Sequence, residues 1–238
     1  MRNYRILGHI SVGILIGTSC AGPTTKSRTQ HEPQVTLKDL PLLKQPATSV
    51  DATGFVQEGR HVEFAALVTN ADLHLDGRKA TVTLVARGLN GEMLTQRTIE
   101  LIGIPARTTV AISDAAELDS ESKVARVSAF VAFADAAIMH VDRSKPLEAS
   151  EVVVKVGKFG EVSVVGQLAP DLTFPGCYRV DAVLFDATGS IVGSARSTGV
   201  QAIEKRWTRF TARGKARSAA NSSGFRAVIT IMPVGGKQ

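Results

Sequence analysis

The fold of this chain is constrained most by a series of short runs in which apolar, often β-branched residues occupy every second position. Successive side chains of an extended strand point to opposite faces, so each run buries one face and leaves the other in water. Gly, Asp and Asn bound the runs, and the sequence shows no long amphipathic helical pattern. We therefore predict an all-β protein with strands in HVEFAALVTN, KATVTLVARG, EMLTQRTIELI, RTTVAIS, KVARVSAFVAF, EVVVKVG, EVSVVGQLA, CYRVDAVLFD, SIVGSARSTGV, KRWTRFTARG and GFRAVITIM.

The strand pattern occurs twice along the chain. In both copies a strand leads into a Gly-containing turn, RGLNGEML in the first and FDATGSIV in the second. A shift of the sequence by 98 residues places Gly91 on Gly189, Val82 on Val180 and Val85 on Val183. Strands without helices must bury their apolar faces against another sheet, and 238 residues suffice for two cores. We therefore predict two tandem immunoglobulin-like β-sandwich domains, with one large sandwich as the alternative.

The N-terminus has the layout of a secretory signal. Arg2 and Arg5 flank a short polar start, and the uncharged run ILGHISVGILIG follows over residues 6–17. A membrane-spanning helix needs about 20 predominantly apolar residues. This run has 12 residues and includes His9 and three glycines. We therefore expect an export signal rather than a membrane-spanning helix.

The residues that follow the apolar run, Gly17, Thr18, Ser19 and Cys20, resemble a bacterial lipobox. In that motif a lipid is joined to the cysteine thiol and the signal is cut just before it. The resemblance implies an exported lipoprotein anchored to the bacterial cell membrane by a palmitate-type lipid on Cys20. Ala21 implies the outer membrane if the organism is Gram-negative. The alternatives are a plain secretory signal cut near Ser19 or Ala21, and an uncleaved anchor.

The chain between the signal and the first strand differs in composition from the rest. It holds four prolines from Ala21 to Ser49, many Ser and Thr residues and no aromatic residue, which is typical of a flexible tether. The charged, proline-containing segment HVDRSKPLEAS separates the two copies and suits a linker. The predicted organisation is a signal peptide at 1–19, a tether at 20–49, domain 1 at 50–142, a linker at 143–149 and domain 2 at 150–238.

Charge and cysteine content restrict the partners and the chemistry. Removal of Arg2 and Arg5 from 28 basic residues leaves 26 against 22 acidic ones, and this +4 excess is too mild to imply nucleic acid. With Cys20 lipidated, Cys177 has no partner for an intrachain disulfide. Alternation around Cys177 indicates the start of a strand, and we expect a buried, inert thiol.

The stretch AVLFDATGSIVG, residues 182–193, resembles the strand–turn–strand core of the FxLYD family, small immunoglobulin-like domains of exported bacterial and archaeal proteins. Leu184, Phe185 and Asp186 correspond to the L, Y and D of the family name, and Ala182 stands where the family has Phe. The resemblance covers about a dozen residues. It implies a binding or scaffolding module without catalytic machinery.

Catalysis is disfavoured by the inventory of reactive residues. The mature chain holds four histidines, of which His31 lies in the tether and none lies in the second copy. The sequence also lacks a Gly-x-Ser-x-Gly elbow, a His-Glu-x-x-His pair, a Cys-x-x-Cys pair and a phosphate-binding Gly-rich loop with its lysine. Distant carboxylate pairs stay open as catalytic candidates. We expect a protein that is not an enzyme and has no cofactor.

One segment imitates a metal site. NADLHLDG places Asp72, His74 and Asp76 at alternate positions, as in the opening of a calcium loop. The bidentate Glu that closes such a loop is replaced by Thr83, and histidine is a poor calcium ligand. The favoured interpretation is a polar connection whose side chains accept local backbone donors, and a weak metal site is the alternative.

A basic stretch, KRWTRFTARGKAR at 205–217, is the candidate binding site. In a strand, Lys205, Trp207, Arg209 and Arg213 share one face. One interpretation is an edge strand whose charges discourage aggregation, with Phe210 in the core. The other is a face for an anionic lipid headgroup, an envelope polymer or an acidic protein. Nucleic acid fits the same composition, but the exported address argues against it.

The first copy holds an acidic counterpart, SDAAELDSES, in which Asp114, Glu117, Asp119 and Glu121 crowd together. We expect a solvated loop, able to make at most weak, salt-sensitive contacts with basic residues of the second copy. The sequence as a whole predicts a membrane-anchored extracytoplasmic lipoprotein that acts as a non-catalytic binding module at the cell envelope. The alternative is a structural or accessory subunit of a larger envelope complex.

Overall fold

A computed structural model of the chain describes residues 2–5, 45–138, 149–168, 176–202, 206–217 and 225–233. All regular elements in these ranges are antiparallel strands, so the prediction of an all-β fold is confirmed. The strands are β1 Arg2–Arg5, β2 Thr48–Glu58, β3 His61–Asn70, β4 Leu75–Arg87, β5 Met93–Ile104, β6 Thr108–Glu117, β7 Arg126–Ile138, β8 Ala149–Val156, β9 Glu161–Leu168, β10 Gly176–Phe185, β11 Ile191–Ala202, β12 Thr208–Ala216 and β13 Arg226–Pro233.

Strands β2 to β7 form unit one, a sandwich of two three-stranded sheets. The central sheet has the order β2–β3–β6, and the outer sheet has the order β5–β4–β7. The two sheets enclose a core that includes Phe64, Val82, Leu84, Ile99 and Ile112. Val82 and Leu84 on β4 and Ile99 on β5 alternate with more exposed residues, as the period of two requires.

Strands β8 to β13 form unit two and belong to one large sheet with the order β1–β8–β9–β12–β11–β10–β13. The sheet folds over on itself, so that valines of β8 and β9 share a core with residues of β10 and β13. This core includes Val154, Val164, Leu184, Phe210 and Ile231. Unit two therefore has the two sheet halves of a sandwich, joined by the pairing of β11 with β12.

The two units repeat the same strand order. A shift of 98 residues carries β5, Met93–Ile104, onto β11, Ile191–Ala202, and the other five pairs of strands begin and end within a few residues of each other. The paired turn glycines, Gly91 and Gly189, both have a φ of 83°, a conformation that residues with a Cβ rarely adopt. The repeat read from the sequence therefore corresponds to a structural repeat.

The central sheet is buried on both faces, and this joins the units into three layers. Every residue from Val62 to Val68 in β3 is buried. One face packs on the outer sheet, and the other presents Ala65, Leu67 and Ala111 to the large sheet. There they meet Val183, Phe185 and Ile191. The strands approach so closely that a Cβ on Gly54 would lie 2.6 Å from the Cβ of Ile191.

Buried polar side chains of unit two complete the hydrogen bonding of β6, which pairs with β3 alone among the described strands. The N–H of Ala111 donates to Thr230 Oγ1 at 2.6 Å. The N–H of Ser113 donates to Asp181 Oδ1 at 3.2 Å, and its hydroxyl donates to the same oxygen at 2.6 Å. Arg179 Nε donates to Asp181 Oδ2 at 2.7 Å, and its guanidinium also donates to the Ser113 carbonyl.

The buried carboxylate at the centre of this network depends on its donors. Burial raises the pKa of Asp181, while the charge and hydrogen bonds of Arg179 and the hydrogen bonds of Ser113 oppose the rise. Removing the partner of a buried backbone donor or a buried charge lowers the stability of the folded protein far more than removing the partner of an exposed group. The network therefore ties the two units together.

The predicted bounds of the signal peptide, the tether, the two domains and the linker remain predictions. Residues 6–44, which include most of the predicted signal and tether, and residues 139–148 around the predicted linker lie outside the described ranges. Arg2–Arg5, within the predicted signal peptide, form the edge strand β1 and pair with Val153–Val156 of β8.

We predict that Asp181→Ala lowers the free energy of unfolding by about 3 kcal/mol, because it leaves Arg179 and the Ser113 N–H without their buried acceptor. Urea unfolding followed by circular dichroism measures this loss. Asp119→Ala, at an exposed carboxylate, is the control and should change stability by less than about 0.5 kcal/mol. Equal effects of the two substitutions would contradict the role given to Asp181.

Candidate functional site

The predicted binding residues lie on and beside β12. Trp207 is 54% exposed, and Arg209 and Arg213 are exposed on the same face of the strand. Phe210 lies on the opposite face and is buried, as expected. Lys205 lies outside the described residues.

The edge-strand interpretation is wrong only for the second half of β12. Residues 213–215 pair with β9 on one side and β11 on the other, whereas residues 209–212 pair with β9 alone among the described strands. Charges are not needed to block edge-to-edge aggregation where both backbone edges of the strand are already paired. Another reason is required for the cations in that half of the strand.

The row of cations on this face extends beyond Arg213, the last of the binding residues predicted from the sequence. The same alternation continues to Lys215, which is half-buried, and to the exposed Arg217. We call Arg209, Arg213, Lys215 and Arg217 the cation row. Neighbours two residues apart on one face of a strand are separated by about 7 Å. Extending the predicted alternation by four residues would have found both additional cations.

Acidic residues neutralise one end of the cation row. Lys215 Nζ lies 2.8 Å from Glu58 Oε2, and this hydrogen bond and charge raise the pKa of Lys215 and lower that of Glu58. Glu161 faces Lys215 across the pairing of β12 with β9. Within the described ranges, no carboxylate forms an ion pair with Arg209 or Arg213.

The neutralised end of the row opens into a cleft of about 520 Å³ between the two units, which we call the junction cleft. Its walls are the last residues of β2, the turn between β8 and β9, and the end of β12. The guanidinium of Arg217 lies 5.7 Å from the centre of the Phe55 ring, and Lys158 Nζ lies 5.7 Å from that of Phe159. The cleft is lined by Phe55, Val56, Gln57, Glu58, Phe159, Lys215, Ala216 and Arg217.

Phe159 is held at the tip of the turn although its ring is 73% exposed. The N–H of Gly157 donates to the Glu161 carbonyl at 2.7 Å and closes the hairpin. The N–H of Phe159 donates to Glu161 Oε2 at 3.3 Å, and Gly160 has a φ of 81°. Phe159 was not among the predicted binding residues, although a large aromatic residue between a lysine and a glycine in a predicted turn is a usable signal.

The acidic stretch of unit one is only partly solvated. Asp119 and Glu121 are exposed, but Asp114 lies within β6 and is buried, so its assignment to a solvated loop is wrong. Asp114 pairs with Arg97 of unit one at 3.2 Å and with Arg196 of unit two. The two cations explain why this carboxylate can lie between the units.

Two further acidic residues surround the histidine at the start of β3. His61 Nδ1 lies 2.7 Å from Glu117 Oε1, and His61 Nε2 lies 3.3 Å from Glu63 Oε1. Partial burial lowers the pKa of His61, but the hydrogen bonds to Glu117 and Glu63 outweigh it and raise the pKa above 6.5.

The predicted metal segment is a polar connection, as the favoured interpretation held. Asp72 Oδ1 accepts the N–H groups of His74 and Leu75 at 2.9 and 3.0 Å. Asp76 is buried and accepts the N–H of Ala106 at 2.8 Å. In the part of the chain that the structure describes, no cluster of three or more His, Cys, Asp or Glu residues could hold a metal ion.

Of the two cysteines, Cys20 lies outside the described residues, and Cys177 lies at the start of β10 as expected. The prediction of a buried thiol is wrong, because Cys177 is exposed. Tyr178, Val180 and Ala182 take the inward positions of β10, which leaves Cys177 on the outward face. Its thiol donates to Gln201 Oε1 at 3.1 Å.

Among known proteins, similarity is found to solved structures. No protein-family model and no curated protein sequence matches the chain. One of the solved structures that the chain matches is the C-terminal globular domain of an oligosaccharyltransferase from Pyrococcus abyssi, with 11% identity and a TM-score of 0.20. The match covers 79% of this chain and about half, 48%, of that chain.

The described part of the chain contains no helix with the length and apolar character that crossing a membrane requires.

We predict that the stability of the protein falls more steeply between about pH 6.5 and 8 than that of His61→Gln. A histidine whose pKa is raised on folding stabilises the protein fully below its unfolded pKa and loses this effect as the pH rises through the folded pKa. Urea midpoints at the two pH values measure the difference in stability between the proteins, which should stay below about 1 kcal/mol because His61 and Glu117 are exposed to solvent. Identical pH dependence in both proteins would contradict the assignment.

Proposed function

We propose that the protein is an exported lipoprotein, anchored to the bacterial cell membrane through a lipid on Cys20, and acts as a non-catalytic binding module at the cell envelope. The N-terminal signal pattern and the lipobox residues before Cys20 support the anchor. The observation that carries the binding role is the cation row on β12, whose exposed Arg213 lies where both backbone edges of the strand are paired and no charge is needed against aggregation.

The chemistry of the row favours an anionic partner. The guanidinium groups of Arg209 and Arg213 are exposed and, in the described part of the chain, lack ion-pair partners. Guanidinium groups bind carboxylates and phosphates with two parallel hydrogen bonds. Trp207 adds an exposed aromatic surface beside them. An acidic protein, an anionic lipid or an envelope polymer fits this surface, and the exported address argues against nucleic acid.

We predict that Arg209→Glu/Arg213→Glu lowers the affinity for anionic ligands about tenfold or more, because it replaces two unpaired cations with anions. Full-length protein is titrated with a glutamate-rich peptide, polyphosphate and phosphatidylglycerol vesicles at low and high salt. Binding should weaken as salt rises.

The matched control is Lys79→Glu/Arg126→Glu, which makes the same change in net charge at exposed positions of the outer sheet. It should retain binding within about twofold. Absence of binding to all three ligands, or equal losses in both double variants, would contradict the proposed function.

We predict that Cys20→Ser abolishes incorporation of radiolabelled palmitate and releases the protein from the membrane fraction, because the thiol is the acylated group. Cys177→Ser is the control and should be labelled like the wild type. Labelling that persists in Cys20→Ser, or membrane association unaffected by it, would contradict lipid anchoring at this residue.

A second candidate function is that of an accessory subunit of an envelope complex. Cleavage before Cys20 would remove β1 and leave the outer backbone groups of β8 without their strand partner. Such an edge accepts an added strand from another protein. Stoichiometric co-purification with one partner, unchanged by Arg209→Glu/Arg213→Glu, would favour this function over the first.

A further inference from the structure

We infer that the partner of the cation row is an extended acidic polypeptide segment that also carries one apolar side chain, and that this side chain enters the junction cleft. The inference rests on the proposed function and names the class of ligand for the same surface. It follows from the spacing of the row, the lining of the cleft and the continuity between them.

The spacing of the row suits an extended chain. Arg213, Lys215 and Arg217 follow one another at intervals of about 7 Å along one face of β12 and beyond it, and Thr211 separates Arg213 from Arg209. Alternate side chains of an extended peptide are separated by the same distance. Acidic residues spaced at multiples of two positions would therefore meet Arg209, Arg213 and Arg217 over a length of roughly 27 Å, while Lys215 keeps its contact with Glu58.

The junction cleft supplies an apolar site at the end of the row. The apolar residues that line it are Phe55, Val56, Phe159 and Ala216, and the cations Lys215 and Arg217 line it as well. Its volume of about 520 Å³ lies in the range of small-molecule sites and leaves room for a large side chain. A buried apolar anchor beside charged contacts is the usual arrangement of a peptide-binding surface.

The exposed aromatic residues favour a polypeptide over other anions. Phe159 is 73% exposed and Trp207 is 54% exposed, one near each end of the row. A phosphate polymer carries no apolar group for these rings. A bilayer presents its headgroups in a plane, whereas the cleft is recessed between β2, the β8–β9 turn and the end of β12. A peptide with acidic and apolar side chains uses both parts of the surface.

The test compares two labelled peptides on full-length protein in non-ionic detergent, by fluorescence anisotropy. Both alternate Glu and Ser over about ten residues; one ends in Leu and the other has Ser in its place. We expect the Leu peptide to bind about tenfold more tightly. Phe159→Ser should remove this difference without changing the affinity for the Ser peptide, and Arg209→Glu/Arg213→Glu should weaken both peptides.

Phe130→Ser is the matched control, because Phe130 is 58% exposed on β7 of the outer sheet. It should leave both affinities unchanged. Equal binding of the two peptides, or no effect of Phe159→Ser, overturns the inference. Binding of polyphosphate or phosphatidylglycerol vesicles through Arg209 and Arg213, without binding of either peptide, also overturns it but leaves the proposed function standing. If neither peptide, polyphosphate nor the vesicles bind, both this inference and the proposed function are contradicted.

Discussion

The structure depends on the way unit two completes the free edge of β6. Two N–H groups of that strand, from Ala111 and Ser113, donate to Thr230 and Asp181 of unit two. The Asp181 carboxylate is fully buried and is held there by Arg179 and Ser113. Neither unit alone can satisfy these groups, and unpaired buried polar groups are costly. The two β-sandwich units of the tandem repeat are therefore joined through β6 into one body with three layers.

The same contact fixes the candidate binding surface. The central sheet places the end of β2 against the large sheet, where Glu58 meets Lys215 and Phe55 meets Arg217. The junction cleft exists because these strands come from different units and are held at one relative position. A surface assembled in this way is preorganised, which reduces the entropy lost when a partner binds.

The all-β fold and its repeat could be predicted because alternation and turn glycines are local signals, and Gly91 and Gly189 adopt the same conformation. The pairing of residues 213–215 of β12 with two strands depends on contacts distant in the sequence, so the local pattern indicated an edge strand. The burial of Asp114 likewise depends on Arg196 of the other unit. The unbroken apolar run FAALV in β3 departs from alternation and is a local signal of burial on both faces.

The most direct test of this account is hydrogen–deuterium exchange, measured by mass spectrometry at increasing urea concentration. Peptides from β3 of unit one and β10 of unit two should lose protection together in a single transition, because the two units share buried contacts at β6. Two separate transitions, with one unit protected while the other has exchanged, would contradict the claim that the repeats form one body.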